Sequence, residues 1–185
     1  MQDRVPQARL YKVWNIPPYG EADTSHLELV SRVLASGKTS RLYKRLVYEM
    51  QIAQDVSAYQ GSQDLASAFH ITATPRPGHT VDELLKVIDE EITKLQNGGP
   101  SPRELQRSVN QIEASFYNRM ERLGGFGGKA DQINGYYSET GDPDWFNEDL
   151  NRYRGLSPSD IRAAAAQYLP LDRRVELVVE PEKKP

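Results

Sequence analysis

The chain has 185 residues, 38% of them hydrophobic and 26% charged, which is enough apolar material for a sizeable core and too much for a disordered chain. A formal charge of −3, with basic side chains dispersed, gives no field that would attract nucleic acid. The absence of cysteine removes disulfides, thiolate zinc sites and cysteine nucleophiles together, and no stretch approaches the roughly 18 apolar residues of a membrane span.

Leu10, Trp14 and Ile16 fall on one side of a short alternating run that Pro17-Pro18 ends, so residues 8–16 are expected to form a strand. Glu21 to Ala35 reads as a helix with Leu27, Val30 and Leu34 on one face and Asp23, Thr24 or Ser25 as candidate caps. Gly37 stops it, and a second helix follows over about Thr39 to Glu49 with Leu42, Leu46 and Val47 inward. Two strands come next, Ala53–Gln60 with Val56 and Ala58, and Leu65–Thr74 with Phe69, Ile71 and Ala73 at period two. Residues 61–64, Gly-Ser-Gln-Asp, suit a hairpin between them.

Pro75-Arg76-Pro77-Gly78 ends that pair, and Val81–Leu95 carries a helical stripe closed by Asn97-Gly98-Gly99-Pro100. Ser101, Pro102 and Glu104 then supply an N-cap, a first-turn proline and a capping-box acid for the longest helix. Its stripe is Leu105, Val109, Ile112, Phe116, Met120 and Leu123, which at 1.5 Å per residue makes a rod of roughly 30 Å. A glycine-rich break at 124–128 precedes shorter helices near 129–139, 143–154 and 158–168. A last strand over 174–179 has Val175, Leu177 and Val179 alternating. Strands at both ends and a long helical block between them imply an α+β layer structure, an antiparallel-rich sheet packed against a layer of helices.

Candidate chemistry is sparse. Ser36-Gly37-Lys38-Thr39-Ser40 has the tail of a phosphate-binding loop, but that loop needs a glycine where Arg32 stands and a strand where a helix precedes. A glycine helix cap is the plainer reading. The three histidines, His26, His70 and His79, lack the spacing that lets two imidazoles face one zinc ion, and neither H-x-x-E-H nor H-E-x-x-H occurs. No G-x-S-x-G elbow marks a serine nucleophile. Glu90-Glu91 reads as a solvated helix face. Lys38, Arg41, Lys44 and Arg45 gather positive charge on one short helix, which could contact an acidic peptide or a phosphate, although a solvated face is commoner. The glycine-rich 124–128 segment fits a substrate loop or a tight helix junction.

Several segments, in order, resemble the pitrilysin/insulinase family of zinc peptidases. They are Ser40-Arg41-Leu42-Tyr43 with its continuation to Glu49, Ile52 to Ala58, Phe69 to Thr74, Gly99 to Leu105, and Gly141-Asp142-Pro143-Asp144. The likeness runs from about residue 8 to 180. It implies the processing-peptidase-like metallohydrolase fold, in which a clamshell is built from homologous halves. One half carries H-x-x-E-H and a distant glutamate, and the other is metal-free. This sequence is similar to the metal-free half, the inactive domain, so it is expected to bind no zinc, to cleave no peptide alone, and to line the substrate chamber of a zinc metalloendopeptidase. Zinc, the activated water and the glutamate base would belong to an N-terminal catalytic half of the same polypeptide.

The resemblance also implies a further strand before residues 8–16, so residues 1–185 are expected to be one domain and a fragment of a two-lobed protein. Many members place an arginine and, seven residues later, a tyrosine on the metal-free half to hold substrate. Val47 and Gln54 occupy those positions here and cannot replace them chemically. That departure points to the second half of a zinc-bearing subunit paired with a separate homologous subunit. Arg41, Arg45 and Gln54 are the remaining candidates for peptide contact. Two other readings are an assembly scaffold of the same fold without proteolytic activity, and a peptide-binding module using the sheet edge. Bacterial members are often periplasmic, though no residue here shows the compartment.

Overall fold

A computed structural model describes residues 1–63 and 65–182. Its strands are β1 (Gln2–Asp3), β2 (Arg9–Ile16), β3 (Ala53–Gly61), β4 (Ser67–Pro75) and β5 (Val175–Pro181). Its α-helices are α1 (Asp23–Ala35), α2 (Val81–Gly98), α3 (Pro102–Glu121), α4 (Lys129–Thr140), α5 (Phe146–Arg154) and α6 (Pro158–Tyr168), with a π-helix at Tyr43–Glu49. The sheet order is β1-β5-β2-β4-β3, antiparallel except where the two-residue β1 meets β5. The α+β class expected from the pattern is what forms. Of the expected hairpin connection, Asp64 lies outside the described residues.

Alternation in the strands places Leu10, Trp14, Ile16, Val56, Phe69, Ile71 and Ala73 on one face, buried under Leu27, Val30, Leu34, Leu84, Ile88, Ile92 and Ile161 of α1, α2 and α6. Trp14 meets Phe69 edge to face at 6.3 Å, and its indole N–H donates to the Pro170 carbonyl at 2.8 Å, so the ring's one polar atom is satisfied in the core. Three helices begin as their sequences dictate. Thr80, Ser101 and Ser157 each accept from the amide three residues on, and Glu83, Glu104 and Asp160 return the bond.

The long helix ends two residues earlier than its stripe suggests. Phe116 is buried, but Leu123 falls past the last turn and is 80% exposed, because the glycine-rich segment leaves nothing for it to pack against. The segment expected as an ordinary helix at 39–49 is wider. Met50 donates its amide to the Arg45 carbonyl, a bond that skips one more residue than an α-helix does, and Ile52 to that of Leu46, which skips two more. Gln51 then turns the chain into β3 with φ 54°, a left-handed conformation that costs a side-chain-bearing residue on the order of 1 kcal/mol.

Candidate functional site

Every helix that contacts the sheet lies against the face just described. The opposite face is open at Tyr59, Val175 and Leu177 and closed over Thr72 and Thr74, and the register brings its side chains into rows. Tyr59 of β3, His70 of β4, Val13 of β2 and Val175 of β5 are successive partners across four strands. The Tyr59 and His70 rings stack with centroids 4.9 Å apart, and Val175 is 66% exposed. The next row is Ser57, Thr72, Tyr11 and Leu177, in which the Ser57 and Thr72 hydroxyls are 2.8 Å apart.

The last strand decides the character of this face. Val175, Leu177 and Val179 alternate as the sequence shows, yet they point outward, and Glu176 and Val178 point in. The cause is Lys12, which sits between Leu10 and Trp14 on the inward side of β2 and is fully buried. A buried ammonium needs carboxylates. Glu176, its register partner on β5, comes within 3.3 Å, and Asp89 of α2 pairs with it directly. Arg174 completes the set, 2.9 Å from Glu176 and 3.0 Å from Asp89, so two cations face two carboxylates. A one-residue slip of β5 would bury its valines at the expense of stranding Lys12, and so the ionic cluster fixes the register that leaves apolar side chains in the open. The signal was present in the sequence as a lysine at an inward position of one strand and a glutamate amid the alternation of another.

The three residues singled out as contact candidates have separate positions. Arg41 donates from Nε and Nη2 to the Glu104 carboxylate at 2.7 and 3.0 Å, and from Nη2 to the Gly99 carbonyl at 2.9 Å. Burial pushes the Glu104 carboxyl up, but the bonds from Arg41 and from the Ser101 amide outweigh it and hold the group at about 2. Two of the segments noted in the sequence, Ser40–Tyr43 and Gly99–Leu105, are therefore clamped together by one fork. Gly99 itself takes φ 68° at the end of α2, and a Cβ there would lie 2.9 Å from the Pro158 carbonyl.

Arg45 pairs with Glu90, and at 2.7 Å with Glu91. Glu91, expected on a solvated face, is buried at 6% exposure because it accepts from both Arg45 and Lys94. Gln54 is exposed at an irregularity in β3, between the paired residues Ala53 and Asp55. Val47 is half-buried against the core. Gly37 has φ 80° and its carbonyl accepts from the Ser40 hydroxyl, the geometry of a helix junction.

The histidines do not meet. His26 bonds to the Ala22 carbonyl, His70 stacks on Tyr59 and His79 is 3.4 Å from Glu83. Among the described residues no group of three or more His, Cys, Asp or Glu side chains could hold a metal ion, so the donors present do not fit a zinc centre. No described helix is long and apolar enough to cross a membrane.

This arrangement of helices on a five-stranded sheet has counterparts among known proteins. The family model described as the peptidase M16 inactive domain matches residues 1–112. The chain belongs to that family. It is similar to an uncharacterized zinc protease of Streptomyces coelicolor, 24% identical over 141 residues, which are 76% of this chain and 30% of that protein. Among solved structures, a protease from Helicobacter pylori superposes with a TM-score of 0.85 at 20% identity, covering 98% of this chain and 43% of that one. The peptidase M16 inactive domain from Pseudomonas fluorescens gives 0.81 at 17% identity, covering 100% and 44%. The inactive peptidase domain of a Bordetella parapertussis protein assigned as a zinc protease gives 0.80 at 22%, covering 100% and 96%. These structures share the fold of this M16 inactive domain. The chain spans under half the length of the Streptomyces and Helicobacter proteins.

Proposed function

We propose that residues 1–185 form the non-catalytic lobe of a two-lobed zinc metalloendopeptidase, packing on an N-terminal catalytic half and lining the substrate chamber with the sheet face opposite the helices. The observation that carries this reading is the outward turn of Val175 and Leu177 onto the face that also bears Tyr59 and His70, apolar surface kept exposed by an ionic cluster on the reverse side. Such surface fits an unfolded peptide: the Tyr59–His70 stack and the aliphatic row offer contact to side chains of any sequence. β3 is the outermost strand of the sheet, so its free edge offers backbone groups to an extended chain.

In the catalytic half, zinc would supply an activated water and a carbonyl-polarising charge. The residues of this chain would hold peptide and exclude solvent. Gln54, exposed at the start of β3, is the contact we propose at the position where relatives carry a tyrosine. Arg41 and Arg45, through Glu104, Glu90 and Glu91, would hold the π-helix that leads to it. With valine and glutamine at 47 and 54, a separate homologous subunit would supply the arginine and tyrosine.

The test compares the chain alone with its assembly with the zinc-bearing half. The chain alone should bind no stoichiometric zinc and leave an unfolded polypeptide intact, whereas the assembly should digest it in a chelator-sensitive way. Val175→Asp with Leu177→Asp should lower kcat/KM for long peptides while the melting temperature of the chain stays constant. Chelator-sensitive digestion by the chain alone, or an unchanged kcat/KM in the double variant, would overturn the proposal.

A further inference from the structure

The helical side of the molecule carries a second surface that the reading above does not use. An open cleft of about 1060 Å³ lies among the π-helix, the C-terminal half of α2 and the first turns of α3. Its lining contains Arg41, Lys44, Arg45, Lys94, Arg103 and Arg107 against only three carboxylates, Glu49, Glu91 and Glu104, and includes no apolar side chain. Glu90, at the margin of the cleft, also pairs with Arg45, so the local excess is two positive charges in a chain whose formal charge is −3.

The internal pairing leaves part of that excess unanswered. Glu104 is committed to Arg41, and Glu91 is shared between Arg45 and Lys94. Lys44 lies 3.4 Å from Glu49 with both side chains largely in solvent, a weak pair. Arg103 and Arg107 have no carboxylate within ion-pair distance among the described residues. Arg107 is nonetheless held in place: Nη1 donates to the Thr39 carbonyl and hydroxyl, both at 2.9 Å, while Nε and Nη2 are buried and donate to nothing. Arg107 therefore contributes a fixed positive charge to the wall of the cleft, and Arg103 an exposed one.

We infer that this cleft binds an acidic polypeptide segment, with carboxylates along an extended backbone meeting cations on the π-helix and on α3. The cations come from three elements and are distributed around a wide opening, whereas a single phosphate or sulfate is gripped where donors converge on one point. No apolar residue lines the cleft, and its charged side chains favour a charged occupant over an apolar one. The cleft is among the helices, on the other side of the sheet from the face assigned to the chamber, so its occupancy is read separately from any peptidase activity.

Fluorescence anisotropy of the chain with a labelled hexaglutamate peptide tests the inference, with hexalysine and a glycine-serine peptide as comparisons. Hexaglutamate should bind saturably and weaken as salt is raised, and the other two should not bind. Arg103→Glu with Lys44→Glu, both exposed positions, should weaken binding roughly tenfold without lowering the melting temperature. Lys129→Glu on α4 should leave it unchanged. No saturable binding, equal losses in the two variants, or equal binding of the glutamate and lysine peptides would overturn the proposal. Displacement by inorganic phosphate at concentrations comparable to the peptide would also overturn it, by making the site one for a single oxyanion.

Discussion

Glu104→Gln perturbs the clamp between the π-helix and α3 with the least change of shape. The carboxylate accepts Arg41 Nε at 2.7 Å, Arg41 Nη2 at 3.0 Å and the Ser101 amide at 2.8 Å. A glutamine retains one carbonyl oxygen and turns an NH2 toward a guanidinium, so at least one charge-assisted bond is lost and the half-buried Arg41 keeps only the Gly99 carbonyl as a full partner. Lowering the Glu104 carboxyl from 4.5 to about 2 corresponds to about 3 kcal/mol of linkage to folding. The variant should therefore unfold about 2–3 kcal/mol more readily in urea, a fall in Tm of about 8 °C for a chain of this size.

The pH dependence carries the sharper test. The folded-state pKa is depressed, so the contribution is complete above 4.5 and decays as pH falls towards about 2. Between those limits the wild type should lose the difference that separates it from the variant, and the two unfolding curves should converge. A variant that melts within a degree of wild type at neutral pH, or whose deficit is unchanged at pH 2.5, would refute the assignment of this stability to the Arg41–Glu104 clamp.

Three further outcomes are expected. Lys12→Met removes one cation from the buried cluster and leaves Asp89 and Glu176 to Arg174 alone, which should cost about 3 kcal/mol in urea unfolding. Burial, joined by the charge of Asp149 for Tyr153 and by the bond to Asp23 for Tyr168, pushes both phenols up to about 12. Their neutral forms stabilise the fold below pH 10, and that contribution fades as pH rises from 10 to 12. An ultraviolet titration should accordingly show two phenols ionising near pH 12, and their ionisation near pH 10 would refute it. Gln51→Gly relieves the left-handed residue between the π-helix and β3 and should raise stability by about 0.5 kcal/mol, whereas a loss of that size would show that the Gln51 side chain does more than occupy a turn.

Local chemistry carried most of the fold into the sequence. Capping boxes at Ser101 and Ser157 and period-two runs in β2, β4 and β5 are readable without any tertiary information, because each depends on residues within one turn or one strand. Which face a strand turns to the core is a different matter. In β5 the apolar alternation is plain, yet the buried side is the one bearing Glu176, since a long-range ion pair with Lys12 outranks the burial of Val175 and Leu177. The same blindness applied to Glu91 and Arg41, whose partners lie 46 and 63 residues away and whose burial no local pattern signals. The wide π-helix was equally hidden, because its apolar spacing is compatible with an ordinary helix.

The placement of β5 between β1 and β2 has a consequence for how the molecule is made. During synthesis Arg9–Ile16 can pair with Ser67–Pro75 as soon as both have left the ribosome, but its other edge stays unfilled until Val175–Pro181 emerges more than a hundred residues later. Until then Lys12 has only Asp89 to neutralise it, and the nascent chain presents an open strand edge to its surroundings. Closure of the sheet thus waits for Val175–Pro181, and a nascent chain arrested before residue 175 would be expected to require chaperone protection of the open edge.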